Sequence, residues 1–141
     1  MSASFFLDTN ILAYAFDPVA PAKRERAREL VNEALRSGSG CISLQVAQEF
    51  LNVCLRKFAV PMTFPEAAAY LEETLTPLCQ VFPSIDLLKS ALELKQSRGY
   101  SFYDSMIIAA ALEAGCDLLY SEDLHHGQHI GRLRIENPFV T

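Results

Sequence analysis

The sequence predicts an α/β fold: a parallel sheet of four strands, with a fifth near the far end, covered on both faces by helices. Three observations lead there. Short apolar runs of strand character alternate with helical stretches along the whole chain. Capping and breaking residues stand at the junctions between them. Carboxylates recur where a strand ends or a helix begins, the edge at which parallel sheets keep their ligands.

Residues 4–8, SFFLD, read as the first strand. Residues 21–37 form an amphipathic helix with Ala27, Leu30, Val31, Ala34 and Leu35 on one face. Pro21 suits its first turn, and Gly38 and Gly40 suit its end. CISL, residues 41–44, is the second strand, and Ser43 caps a helix that runs to about Phe58. Thr63 and Glu66 make the T-x-x-E capping box of another helix. CQVF, residues 79–82, is the third strand. Ser84 opens a helix that turns Leu87, Leu88, Ala91 and Leu92 inward and stops at Gly99. Residues 102–115 are apolar nearly all round, so this helix is expected to be deeply buried. DLLYS, 117–121, is the fourth strand, and LRIE, 133–136, the fifth.

Composition narrows the class. The chain has 141 residues, half of them apolar, which suits one domain over 1–141 with a real core. The longest apolar run, Met106 to Leu112, falls far short of the ~20 residues of a membrane span. The start lacks a basic segment ahead of its apolar run, so no leader is expected. These features predict a soluble, cytoplasmic protein without membrane contact. Cys41, Cys54, Cys79 and Cys116 are widely spaced, as buried thiols of a reducing compartment are. The net charge of −5 argues against a general nucleic-acid binder, and the basic group Lys23, Arg24, Arg26 and Arg28 is diluted by Glu25 and Glu29.

Why a buried strand should end on a carboxylate is answered by the company Asp8 keeps. Glu49 lies early in the helix after the second strand. Asp104 lies in the first turn of the apolar helix. Asp123 follows the fourth strand. In a parallel sheet all four positions fall on one edge. Each also has a plainer structural role. Asp8 can cap a following helix, Asp104 completes S-x-x-D with Ser101, Glu49 shares a polar helix face with Gln45 and Gln48, and Asp123, like Glu122, suits a turn. Their joint placement favours chemistry. Two carboxylates about 4 Å apart repel by roughly 4 kcal/mol at an effective dielectric near 20. Such a cluster takes up protons or binds cations, and oxygen-only donors favour Mg²⁺ or Mn²⁺. Carboxylate-held Mg²⁺ commonly shares its shell with a phosphate, and the matching reaction is phosphodiester hydrolysis. Two such ions add +4 to −5, leaving about −1, and make the cleft attractive to phosphate.

The chain resembles the PIN domain family, and within it the VapC-like toxins of type II toxin–antitoxin pairs. The matching stretches are FFLDTNILAYAF, ISLQVAQEFLNV and YSFYDSMIIAAALEAGCDLLYSEDLHHG. They stand in the family's order and span almost the whole chain. The resemblance implies a three-layer α/β/α fold with a four- or five-stranded parallel sheet, and a Mg²⁺- or Mn²⁺-dependent endoribonuclease using one or two ions. It matches Asp8, Glu49, Asp104 and Asp123 to the four acidic positions, with Glu122 the adjoining alternative to Asp123. Thr9, Asn10 and Ser121 match supporting positions. An RNA substrate, a partner antitoxin and a homodimer are further implications, as is a PIN-type RNA-processing nuclease without antitoxin, or an inactive binding module.

Other classes fit less well. An aspartyl phosphatase follows D-x-D, and position 10 is Asn. A receiver domain needs a Lys after a late strand, where Glu122 and Asp123 stand. His125, His126 and His129 read as loop residues rather than a zinc site, since Gly127 interrupts them and no H-E-x-x-H exists.

Overall fold

The computed structural model describes residues 4–140. Chain order is β1 (Phe5–Leu7), α1 (Thr9–Tyr14), α2 (Pro21–Ser37), β2 (Gly40–Ser43), α3 (Leu44–Arg56), α4 (Phe64–Tyr70), a π-helical turn (Leu71–Leu75) and α5 (Thr76–Leu78). There follow β3 (Cys79–Val81), α6 (Ile85–Arg98), α7 (Phe102–Glu113), β4 (Leu118–Tyr120), β5 (His129–Ile130) and β6 (Leu133–Glu136). The caps read from the sequence form: Ser43 Oγ accepts from Val46 N, Ser84 Oγ from Leu87 N, and Thr63 and Glu66 bond reciprocally. Gly99 closes α6 at φ 77°, a backbone angle that costs glycine nothing.

The strands form one sheet in the order β3-β2-β1-β4-β6-β5, parallel except for the antiparallel pair β5–β6. The three-layer α/β/α expectation holds. The five parallel strands expected are present, and a sixth is added because the two-residue β5 pairs back antiparallel on β6 through His129 and Arg134. Successive strands are added in one direction from β1 to β3 and on the other side of β1 from β4 onward, so right-handed crossovers place the earlier helices and the α6–α7 pair on opposite faces. This change of side leaves a switch point between β1 and β4, where open α/β sheets form their crevice.

Burial follows the predicted pattern in most places. Phe6, Leu7, Ile42, Leu119 and Ile135 are fully buried on the strands, and α7 buries seven consecutive residues, Ser105 to Ala111. Two inward assignments are corrected. Leu92 is 57% exposed and Leu35 39%, because each falls at the edge of its helix's buried stripe, where neither face of the sheet reaches it. The four thiols are free, with Cys41 and Cys116 Sγ atoms 3.7 Å apart in the core. No helix among the described residues is long and apolar enough to cross a membrane.

Two tight packings hold the site's elements. Gly40 lies where a Cβ would come within 2.4 Å of Ala34 Cβ and 2.5 Å of the Phe5 ring, so β2 approaches α2 and β1 only as glycine. Phe16, Phe50, Phe58 and Tyr70 form an aromatic cluster with centroids 4.9 to 6.0 Å apart, locking α3 to the end of α1. Phe50 is fully buried beside Glu49. Phe50→Ala is expected to lower unfolding free energy by about 3–5 kcal/mol, measured by urea denaturation. A loss under 1 kcal/mol would show that the cluster does not anchor α3.

Candidate active site

Asp8 ends β1 and is also the N-cap of α1. It has extended backbone, and its Oδ1 accepts from Thr9 N at 2.7 Å. The plainer role therefore exists, but it occupies one oxygen only. Oδ2 faces the switch point and accepts from Ser121 Oγ, just past β4, at 2.7 Å. β1 and β4 are held in register there by Asp8 N donating to Tyr120 O. The short helix α1 is the one Asp8 caps, and it turns Thr9 and Asn10 toward the same crevice.

Asn10 spans the crevice. Its Nδ2 donates to Asp123 Oδ2 at 3.1 Å, with longer approaches to Ser121 Oγ (3.4 Å) and Asp8 Oδ2 (3.5 Å). Its Oδ1 accepts from Glu122 N. Glu49 enters from α3, with one oxygen taken by Thr9 Oγ1 at 2.8 Å and the other by Gln45 Nε2 at 3.3 Å. Asp104 enters from α7. Its backbone N donates to Ser101 Oγ, but only this half of the expected capping box forms. Among the described residues nothing bonds the Asp104 carboxylate.

Asp8, Glu49, Asp104 and Asp123 thus line one pocket of about 140 Å³, with Thr9, Asn10, Gln45, Tyr103 and Ile107. No Lys or Arg lines it. All the donors in contact with its carboxylates are neutral. Asp8 is 7% exposed, and burial raises its carboxyl to about pKa 6, helped by the charges of Glu49 and Asp123 and opposed by the Ser121 and Thr9 bonds. Four carboxylates without a counter-charge are the donor set of a hard divalent cation. Among the described residues, however, no three of His, Cys, Asp or Glu are grouped closely enough to hold one ion together. A Mg²⁺ ion needs only one or two carboxylates and keeps waters in its other positions.

Glu122 and Asp123 are separated by the structure. Glu122 points away from the pocket, to Lys23 Nζ at 2.5 Å and Tyr14 OH at 2.6 Å. Its burial would raise its pKa, but those two bonds and the Lys23 charge outweigh this and hold it low. Asp123 is the acid of this pair that lines the pocket. Glu122→Gln is expected to leave Mn²⁺ affinity, measured by titration calorimetry, within about threefold of the parent, as surface ion pairs contribute little, whereas Asp123→Asn lowers it further. The reverse order of effects would reassign the fourth acid. The histidines are all exposed, and His126 Nδ1 accepts from Asn137 N. Gln45, which orients Glu49, was missed as a site residue. Its signal is the four-residue helical spacing from Glu49 in LQVAQE.

The family model for the PIN domain matches residues 5–129. The chain belongs to the PIN domain family. No curated protein matches it significantly. Among solved structures, this PIN domain is similar to a toxin–antitoxin complex from Klebsiella pneumoniae, at 18% identity and TM-score 0.69, covering 96% of this chain and 98% of the other. It is similar to VapC20 of Mycobacterium tuberculosis, a sarcin–ricin loop cleaving toxin, at 22% identity and TM-score 0.62, over 85% and 90% of the two chains. It is also similar to FitAcB from Neisseria gonorrhoeae, at 17% identity and TM-score 0.60, over 95% and 97%. At these identities the likeness concerns the fold of the PIN domain.

Proposed function

We propose that this PIN domain is a Mg²⁺- or Mn²⁺-dependent endoribonuclease, the toxin of a toxin–antitoxin pair. The observation that carries the nuclease reading is the pocket at the β1–β4 switch point, which gathers four carboxylates and no basic side chain. Asp8 and Asp104 would be the principal ligands, Asp123 would complete the site, and one or two ions suit the set. A bound divalent ion supplies positive charge to the substrate phosphate and eases the ionisation of water. Ser121 and Thr9 hold the two Asp8 oxygens in place. Thr9 and Gln45 hold Glu49, which would bind the ion directly or through water and help deprotonate the attacking water. Asn10 fixes the spacing of Asp8 and Asp123.

The toxin reading draws on the solved structures of similar fold, two of which are described as a toxin or a toxin–antitoxin complex. A protein partner also has a surface to bind. An apolar groove of about 520 Å³, lined by Phe16, Val19, Val53, Phe58 and Val60, opens beside Asn10. Val19 and Val60 are each 84% exposed there. A groove of this kind suits the apolar face of an antitoxin segment. For the homodimer, α6 leaves Ile85 and Leu92 exposed seven residues apart on one helix face. The cytoplasm, where RNA and a co-produced antitoxin meet, is the compartment of this reading.

The test is incubation of purified protein with tRNA, rRNA and mRNA in Mg²⁺, Mn²⁺ or EDTA. Cleavage with either ion and none in EDTA is expected. Cleavage that survives EDTA would remove the metal from the reading, and inertness on all three substrates would favour a binding module.

A further inference from the structure

The acidic pocket shares a wall with a second pocket of about 370 Å³. The wall is Asp104 and Asp123, which line both. Beyond it the chemistry changes. Arg98, Tyr100, His125 and Gln128 line the far compartment, so one cleft passes from carboxylates to a cation, aromatic rings and an amide. Arg98 is exposed at the last position of α6 and, among the described residues, pairs with no carboxylate. Lys23, the cation bound to the neighbouring Glu122, is by contrast already used. Tyr100 OH donates to Gln128 Oε1, which ties the α6–α7 link to the loop before β5. That bond leaves the Gln128 amide hydrogens without an acceptor among the described residues. Gly99 ends α6 and Ser101 caps α7, so Arg98 and Tyr100 sit on a short link between two packed helices.

A chain of phosphates crossing four carboxylates needs an anchor beside them, and an unpaired guanidinium next to aromatic surface provides one. A compartment of this volume is in the range that holds small ligands. We propose that it seats the nucleotide adjoining the scissile phosphate of a single-stranded RNA, with Arg98 on a phosphate, Gln128 donating to sugar or base, and Tyr100 and His125 against the base. This rests on the nuclease reading of the acidic pocket. Single-stranded RNA is favoured over duplex because an unstacked base can enter a pocket and meet ring and amide together.

The experiment measures binding of a fluorescein-labelled single-stranded oligoribonucleotide to full-length Asp8→Asn in Mg²⁺, by anisotropy across a KCl series. Adding Arg98→Ala is expected to weaken binding about tenfold and to flatten the slope of log Kd against log salt by ~0.7, one phosphate contact on a single strand. Arg98→Lys restores the slope, since the charge alone sets it. Gln128→Ala weakens binding with the slope unchanged. A duplex of the same sequence binds more weakly than the single strand.

Cleavage by protein with Asp8 intact is run beside these measurements. Cleavage present, with Kd, slope and KM all unmoved by Arg98→Ala, overturns the compartment and leaves the nuclease reading standing. Cleavage absent, with the slope still dependent on Arg98, sinks the nuclease reading and supports the compartment as an RNA site. No RNA binding by any variant overturns both.

Discussion

Asp104→Asn is expected to abolish metal-dependent RNA cleavage, with a loss on the order of a thousandfold in kcat and little change in stability. The geometry makes this substitution unusually clean. What Asp104 gives the fold is a backbone N–H to Ser101 Oγ, and Asn keeps it. What it gives the pocket is a carboxylate free of any bond among the described residues, and Asn removes that charge. Asp8→Asn would confound two effects, since both Asp8 oxygens accept hydrogen bonds. The measurement is single-turnover cleavage at saturating Mg²⁺, with thermal melting run alongside. Cleavage within tenfold of the parent would return Asp104 to its role in the helix cap.

The second expectation concerns metal-free protein, in which Asp8 weakens the fold at neutral pH. Its carboxyl titrates near pH 6 when folded, against an ordinary 3.8 for an aspartate, chiefly because it is buried and also because Glu49 and Asp123 are near. A raised carboxyl pKa means that the fold prefers the protonated form. Stability from this group is therefore fully present below about pH 4, falls as pH rises through about 6, and stays low above. The gap is worth up to about 3 kcal/mol between those limits. Asp8→Asn keeps the polar shape without the charge, though it weakens the bond from Ser121. In EDTA at pH 8 it is expected to be more stable than the parent by about 1–2 kcal/mol, with the advantage shrinking towards pH 4. Urea unfolding of both proteins at pH 5 and pH 8 tests this. A parent as stable as the variant at pH 8, or an advantage that grows on acidification, would contradict it. Stability lost at a site in this way is the usual mark of a group kept for binding.

The elements that could be read from the sequence were those whose local chemistry agrees with their surroundings. Ser43, Thr63, Ser84 and Ser101 each cap the helix expected of them, because a cap is decided within four residues. α7 was legible because its apolar run fits only a buried helix. The extent of α1 was not, since six residues with Ile11 and Leu12 buried give no usable period. β5 exists only by pairing with β6, which no local pattern announces. Leu92 misled because it extends the spacing of Leu87, Leu88 and Ala91, yet lies past the edge of the contact. The acids at element ends were visible as a set. That Glu122 turns away from the pocket could not be read, because its partner, Lys23, lies far away in the chain and joins it only in the folded state.

The pairing of β1 with β4 has a consequence for synthesis. Asp8 meets Ser121 across a sequence separation of 113 residues, so the first carboxylate of the pocket waits for the fourth strand, late in the chain. Contacts this distant in sequence form late and only after local structure is in place. A chain still emerging from the ribosome holds Asp8 and Glu49 but has no β4 edge beside them. The complete pocket thus arises only after most of the polypeptide has been released. Prematurely terminated products carry the early acids without a working arrangement of them.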